Sequence, residues 1–97
     1  MKPVVFHPEA TAELDEAVGH YEAQVPGLGI DLREKVEAAT GRIQEAPERW
    51  SPLTRRTRRF RLRRFPYSVI YAIVPDQITI VAVAHHKQRP GYWRDRL

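Results

Sequence analysis

The sequence predicts an α+β fold of order β-α-α-β-β-β, a helical hairpin packed on one face of a small, mainly antiparallel sheet. Three observations carry the prediction. Residues 8–46 hold two apolar stripes at helical spacing, separated by a Pro26-Gly27 break. Around Phe60 and Leu62 the pattern changes to a period of two, with Arg59, Arg61 and Arg63 on the opposite parity. Residues 67–84 form two apolar, β-branched runs about a Val74-Pro75-Asp76-Gln77 turn, with proline at the second turn position.

Taken in order, Pro3-Val4-Val5-Phe6 reads as a short strand that needs partners elsewhere in the chain. His7-Pro8-Glu9 opens a helix over about 8–24, with proline where the first turn tolerates it and an acid beside the positive dipole end. Leu14, Ala17, Val18, Tyr21 and Val25 form its buried stripe, and Glu9, Glu13, Asp15, Glu16 and Glu22 read mostly as a solvated face. A second helix runs to about Ala46 on Leu28, Leu32, Val36, Ala39 and Ile43, and the short connection implies an antiparallel pair. Gly41 inside it costs about 1 kcal/mol against alanine and reads as a point of close packing. Pro47 ends the helix, and Trp50-Ser51-Pro52-Leu53 reads as a loop, with Trp50 a core-edge anchor. Pro66 marks a bend. Tyr67–Val74 and Ile78–Ala84 are apolar on both parities, as strands covered on both faces should be. Tyr67 and Tyr71 share a parity and should pack under the helices.

Bulk properties narrow the function. The 97 residues are read as one domain spanning 1–97, without cysteine and therefore without disulfide or thiolate chemistry. No apolar run approaches the roughly 20 residues a bilayer span requires. The opening MKPVVFHPEA has neither the apolar region nor the cleavage site of a signal peptide, so a cytoplasmic location without membrane contact is expected. Charge is divided along the chain. Residues 1–48 hold 4 Lys/Arg against 10 Asp/Glu, and residues 49–97 hold 12 against 2. A polyanion site, if there is one, belongs to the second half.

Its centre is RRTRRFRLRR, seven arginines in the ten residues 55–64 with no acid among them. Guanidinium is costly to bury, so the strand here should have one apolar side and one cationic side that calls for an anionic partner. Arg59, Arg61, Arg63, Arg64, Lys87 and Arg89 are the candidate target- or polyanion-binding residues. His85 and His86 end a strand and should point to opposite faces. They share no metal-ligand spacing with other residues, and neither metal nor cofactor is expected. Tyr92 and Trp93 read as aromatic plugs against a sheet edge.

The element order resembles the RelE/ParE superfamily, the toxins of type II toxin–antitoxin modules. So do the segments HPEATAELDEAVGHYEAQ, LRRFPYSVIYAIV and ITIVAVAHHKQRPGYWRDR. The resemblance spans essentially the whole chain and is most specific from Arg63 to Trp93. It implies the RelE-like version of the predicted fold and one of two activities. RelE-like members are ribosome-dependent mRNA endonucleases, whereas ParE-like members act as inhibitors of DNA gyrase without catalysis of their own. RNA cleavage needs a base, an acid and cations around the phosphorane. If this chain were such an enzyme, the set would be Arg61, Arg63, Arg64, His85, His86, Arg89 and Tyr92. Lysine is absent between positions 36 and 86, where resembling nucleases carry it, and arginine does not release a proton at neutral pH. The pattern therefore favours the gyrase-directed inhibitor over the nuclease, with a plain nucleic-acid-binding domain third. The resemblance also implies a cognate antitoxin in a hetero-oligomeric complex. That antitoxin should bring an amphipathic helix with acids opposite Arg59, Arg61 and Arg63, and should make the operator-DNA contact.

Overall fold

The computed structural model describes residues 1–97. A strand β1 (Val4–Phe6) leads into helices α1 (Pro8–Gln24) and α2 (Leu28–Glu45), followed by strands β2 (Ser51–Pro52), β3 (Arg58–Arg61), β4 (Tyr67–Ile73) and β5 (Ile78–His85). A short 3₁₀ turn over Arg94–Arg96 closes the tail. The sheet order is β1-β5-β4-β3-β2, parallel only between β1 and β5. This is the expected α+β architecture with one strand more. The Ser51-Pro52 segment, read as loop, pairs with Arg59 and Arg58 at the sheet's edge, where proline's missing N–H costs no ladder bond.

Both helices start from satisfied termini. His7 caps α1, its Nδ1 accepting from the Glu9 amide at 3.1 Å. Gly27, at φ 90°, turns the chain into α2, whose first amides are capped from the other helix. There the Glu22 carboxylate accepts from Gly27, Gly29 and Ile30 at 2.7, 3.0 and 3.3 Å. Glu22 is therefore not part of a solvated face, and these amides hold its carboxyl below the usual range, the Gly27 bond contributing most. Close packing falls on Gly29 instead of Gly41. A Cβ at Gly29 would lie 2.2 Å from the Val18 carbonyl oxygen, while Gly41 has open space around it.

The helices bury most of the expected stripes, Leu14 and Ala17 on α1 and Leu32, Val36, Ala39 and Ile43 on α2, against Val69, Tyr71, Ile78 and Ile80 of the sheet, whereas Val25 caps the end of α1 and is exposed. Each fully buried aliphatic side chain contributes roughly 1.5–3 kcal/mol. Tyr71 is completely buried, donates its hydroxyl to the Pro47 carbonyl, and burial pushes its pKa up to about 12. The pairing of β4 with β5 slips by one residue. Ile70 faces Ala82 but Tyr71 faces Ile80, so Val81 is the extra residue of a bulge. The second core lies on the opposite face, where Trp93 from the tail covers Ile70, Ala72, Val81 and Ala82. Trp93 thus plugs a sheet face and not an edge.

Strand β1 covers β5 only as far as Ile80. Beyond it, side chains replace the missing strand. Arg96 Nη1 donates to the Val81 carbonyl at 3.1 Å, the Val83 amide donates to Glu13 Oε1 at 3.0 Å, and the His85 amide to Gln88 Oε1 at 2.9 Å. Glu13 is consequently no surface acid. It also accepts from the Tyr92 hydroxyl at 2.7 Å and from both Arg96 terminal nitrogens at 3.0 Å. No helix is long and apolar enough to cross a membrane.

Candidate functional site

The arginine run leaves β3, the strand next to the sheet's edge, in three directions. Arg55 and Arg56 are exposed in the turn between β2 and β3, a turn fixed by the Thr54 hydroxyl, which accepts from the Arg56 and Thr57 amides. Arg58 faces inward at the sheet's margin and donates to the carbonyls of Glu48 and Trp50 at 3.0 and 2.7 Å. Arg59 lies on the outer face, the one opposite the helices. There it lines a pocket of about 180 Å³ with Ser68, His86, Arg89 and Arg94 over a floor that includes Trp93. The lining contains no carboxylate.

Arg61 ends β3, and Arg63 and Arg64 lie in the following bend. The strand stops too soon for Arg63 to share the face of Arg59, as the alternation had suggested. Arg63 and Arg64 instead border a groove on the helix side, and Arg64 stands 3.8 Å from Asp31 of α2.

The two histidines separate as expected. His85 turns to the helix side and meets the Tyr67 ring edge-on at 5.0 Å between centroids. His86 turns to the outer face, its Nε2 3.0 Å from the Ser68 hydroxyl. Partial desolvation and then the positive charge of Arg61 lower its pKa, although the residue stays exposed. Tyr92 is committed elsewhere. Burial and its bond to Glu13 raise the phenol's pKa, and that hydroxyl is bonded to a carboxylate although the side chain also lines the outer pocket.

The residues a nuclease would need are therefore split. His86 and Arg89 share the outer pocket, whose lining His85 and Tyr92 also reach, while Arg61 sits at the edge and Arg63 and Arg64 lie on the helix side. Lys87 and Arg89 are exposed on the turn after β5. No group of three His, Asp or Glu side chains comes together closely enough to hold a metal ion. Sequence reasoning missed Arg94 in the outer pocket and the whole Glu13–Tyr92–Arg96 cluster. A signal for Glu13 was present, because it stands three residues after Ala10 and four before Ala17, on the margin of the buried stripe.

A sequence model of the ParE toxin of the type II toxin–antitoxin system parDE matches residues 4–90. The chain belongs to the ParE toxin family. Toxin ParE2 of Mycobacterium tuberculosis, in strains CDC 1551 / Oshkosh and ATCC 25618 / H37Rv, is 40% identical to it over 56 residues. That match covers 58% of this chain and 53% of the relatives, so the chain spans about half the length of the curated proteins it matches. A solved structure described as the chromosomal ParDE toxin–antitoxin system from P. aeruginosa superposes with a TM-score of 0.77. It covers 88% of this chain and 96% of its own at 18% identity, a likeness of fold. The ParE toxin family falls within the superfamily resembled by the Arg63–Trp93 segment, and the matched range 4–90 contains both helices and all five strands.

Proposed function

We propose that the chain is the toxin of a type II toxin–antitoxin module, a binding inhibitor of DNA gyrase kept inactive by a cognate antitoxin. On this reading it acts in the cytoplasm, and operator DNA is contacted through the antitoxin. The observation that supports inhibition by binding over mRNA cleavage is the dispersal of the would-be catalytic set onto two faces of one sheet. A general acid and a general base must both reach one phosphodiester within about 3 Å or through one water. At the outer pocket Tyr92 already donates to Glu13, the His85 ring sits edge-on to Tyr67, and His86 is left as the histidine bonded to Ser68 on that face. Surface display, by contrast, needs only that Arg59, Arg61, Arg63, Arg64, Lys87 and Arg89 be presented, and gyrase with its bound DNA offers the anionic counterpart. Arg59, Arg61 and Arg63 also serve the antitoxin, so neutralisation and target binding compete for the same charges.

Induced expression tests this, with growth, the DNA-damage response, supercoiling by purified gyrase, and mRNA integrity on translating ribosomes as readouts. Arg59→Ala and Arg61→Ala should each weaken inhibition by about fivefold, the loss of one contact of about 1 kcal/mol. His86→Ala should stay within a few-fold of wild type. General acid–base catalysis by His86 would instead make that loss about 10²–10⁴-fold. Cleaved mRNA in the wild type, abolished by His86→Ala at an unchanged melting temperature, would overturn the inhibitor in favour of the nuclease.

A further inference from the structure

On the outer face of the sheet, two recesses lie between the tail and the β2–β3 turn. The first is the pocket of about 180 Å³ already described, lined by Arg59 from the sheet and by Arg89 and Arg94 from the tail. The second, of about 640 Å³, lies farther along the same face over Ala72 and Thr79, which pair across β4 and β5. Arg55 and Arg56 line it and are exposed. Thr54 lines both recesses, so the two adjoin, and no Asp or Glu side chain lines either one.

The arginines here differ from those elsewhere in the chain. Arg33, Arg64 and Arg96 are ion-paired to carboxylates, and Arg58 donates to two carbonyls. The side chains of Arg55, Arg56, Arg59, Arg89 and Arg94 make no ion pair and no hydrogen bond within the molecule. Five guanidinium groups gathered on one face repel one another, and a polyanion relieves that repulsion. The shape then narrows the choice of anion. An isolated phosphate would fill one recess and leave the charges of the other unmet. From Ser68 beside the first recess to Ile73 beside the second, β4 runs about 16 Å at about 3.3 Å per residue, so the ligand carries its charges along roughly that length. The whole chain measures only 39 × 28 × 22 Å. A trough within one of its faces is too narrow to seat a duplex, whose major groove alone is about 12 Å across. Trp93 is 4% exposed, so it gives the trough an apolar floor and no open ring on which a base could stack.

We infer that the outer face is a track for the sugar–phosphate backbone of a single DNA strand. Its phosphates sit on Arg59, Arg89 and Arg94 in one recess and on Arg55 and Arg56 in the other, and its bases turn outward. This rests on the gyrase reading above for the source of the strand, DNA opened while gyrase holds it. It also brings Arg55, Arg56 and Arg94 into the contact set. Contacts to phosphate carry no sequence information, so the track is indifferent to base sequence.

The test titrates the full chain into a fluorescent oligothymidylate strand and reads anisotropy at several salt concentrations. Five neutralised phosphates predict that log K falls against log salt with a slope of about −3.5, about −0.7 for each. Arg59→Gln and Arg94→Gln should each weaken binding by about fivefold and bring the slope to about −2.8. Arg33→Gln, which removes the same charge from α2, should leave the slope unchanged. A strand of mixed sequence should bind within about twofold of oligothymidylate, and its duplex at least about fivefold more weakly. Equal affinity for the duplex, or an equal loss in Arg33→Gln, overturns the track in favour of attraction by net charge alone. A slope that neither Arg59→Gln nor Arg94→Gln changes, in chains of unaltered Tm, overturns it too. An RNA strand bound more than about fivefold tighter than DNA of the same sequence overturns the assignment to DNA. Inhibition of supercoiling by a chain that does not bind the strand overturns the track and leaves the gyrase reading intact. Strand binding by a chain that does not inhibit gyrase sinks that reading and keeps the track.

Discussion

Replacing Glu13 should be the most damaging single polar change in the molecule. Its carboxylate accepts from the Val83 amide, the Tyr92 hydroxyl and both terminal nitrogens of Arg96. The side chains of Arg96 and Glu13 are 9% and 19% exposed, so neither charge is relieved by much water if the other is removed. Glu13→Ala would leave Arg96 with the Val81 carbonyl and a distant Glu9 at 3.7 Å. Stranding one partner of a buried pair costs about 3–5 kcal/mol, and the partial exposure places this case near the lower end. In a chain of this length each kcal/mol lowers Tm by about 4–8 °C, so a fall of more than about 10 °C is expected. Tyr92→Phe removes one hydrogen bond to a charge and should cost about 1.5 kcal/mol. The two changes share a carboxylate, so their effects should not add. Urea and thermal denaturation followed by circular dichroism, with Trp93 emission as a local probe, measure all three quantities. Glu13→Ala melting within about 2 °C of wild type, less than a change of 1 kcal/mol would produce, would show that the cluster does not hold the tail.

Three further outcomes follow from the same geometry. Gly41→Ala, on a helix with open space at the site, should raise stability by about 1 kcal/mol, whereas Gly29→Ala should lower it, because the new Cβ collides with the Val18 carbonyl; a pair of melting curves decides both. The Glu22 carboxyl titrates below its ordinary 4.5 in the folded chain, so the unfolded chain binds the proton first as pH falls. Its contribution is complete above pH 4.5 and is lost as pH drops through the folded value, so Glu22→Gln should flatten the acid limb of a stability–pH curve and leave its shape near neutrality unchanged. Leu14→Asp, Val36→Asp and Ile70→Asp each bury an unpaired carboxylate and should unfold the chain, as judged by circular dichroism at 25 °C.

What the sequence made legible was whatever depends on local periodicity. The stripes of α1 and α2, the Pro66 bend, the turn at Pro75 and the opposed directions of His85 and His86 all follow from spacing along the chain. What stayed hidden depends on contacts across it. Strand β2 is only Ser51-Pro52 and has no periodicity to read. The bulge at Val81 lies in a run apolar on both parities, so a one-residue slip leaves no trace in the pattern. Arg59 and Arg63 share a parity but not a face, because strand geometry ends at Arg61. The acids of α1 look alike in sequence, yet Glu13 and Glu22 each serve an element more than four residues away, and Glu13 reaches one 83 positions on.

That last contact changes what the tail is for. Residues 86–97 are polar and basic, which suggests a loose arm reaching for an anion. They are instead held at two points, Trp93 against the outer core and Arg96 with Tyr92 on Glu13. Gly91, at φ 76°, makes the turn just ahead of these anchors possible, a backbone conformation that other residues rarely adopt. With the tail fixed, Arg89 and Arg94 are set opposite Arg59 and around His86 without any of them being spent on an internal ion pair. Anchoring one arginine, Arg96, beside a buried acid is what leaves the others free at defined positions. Tyr92 therefore belongs to the frame that positions the cationic face as well as to the lining of its pocket, and loss of its hydroxyl should act on that face through the stability of the tail.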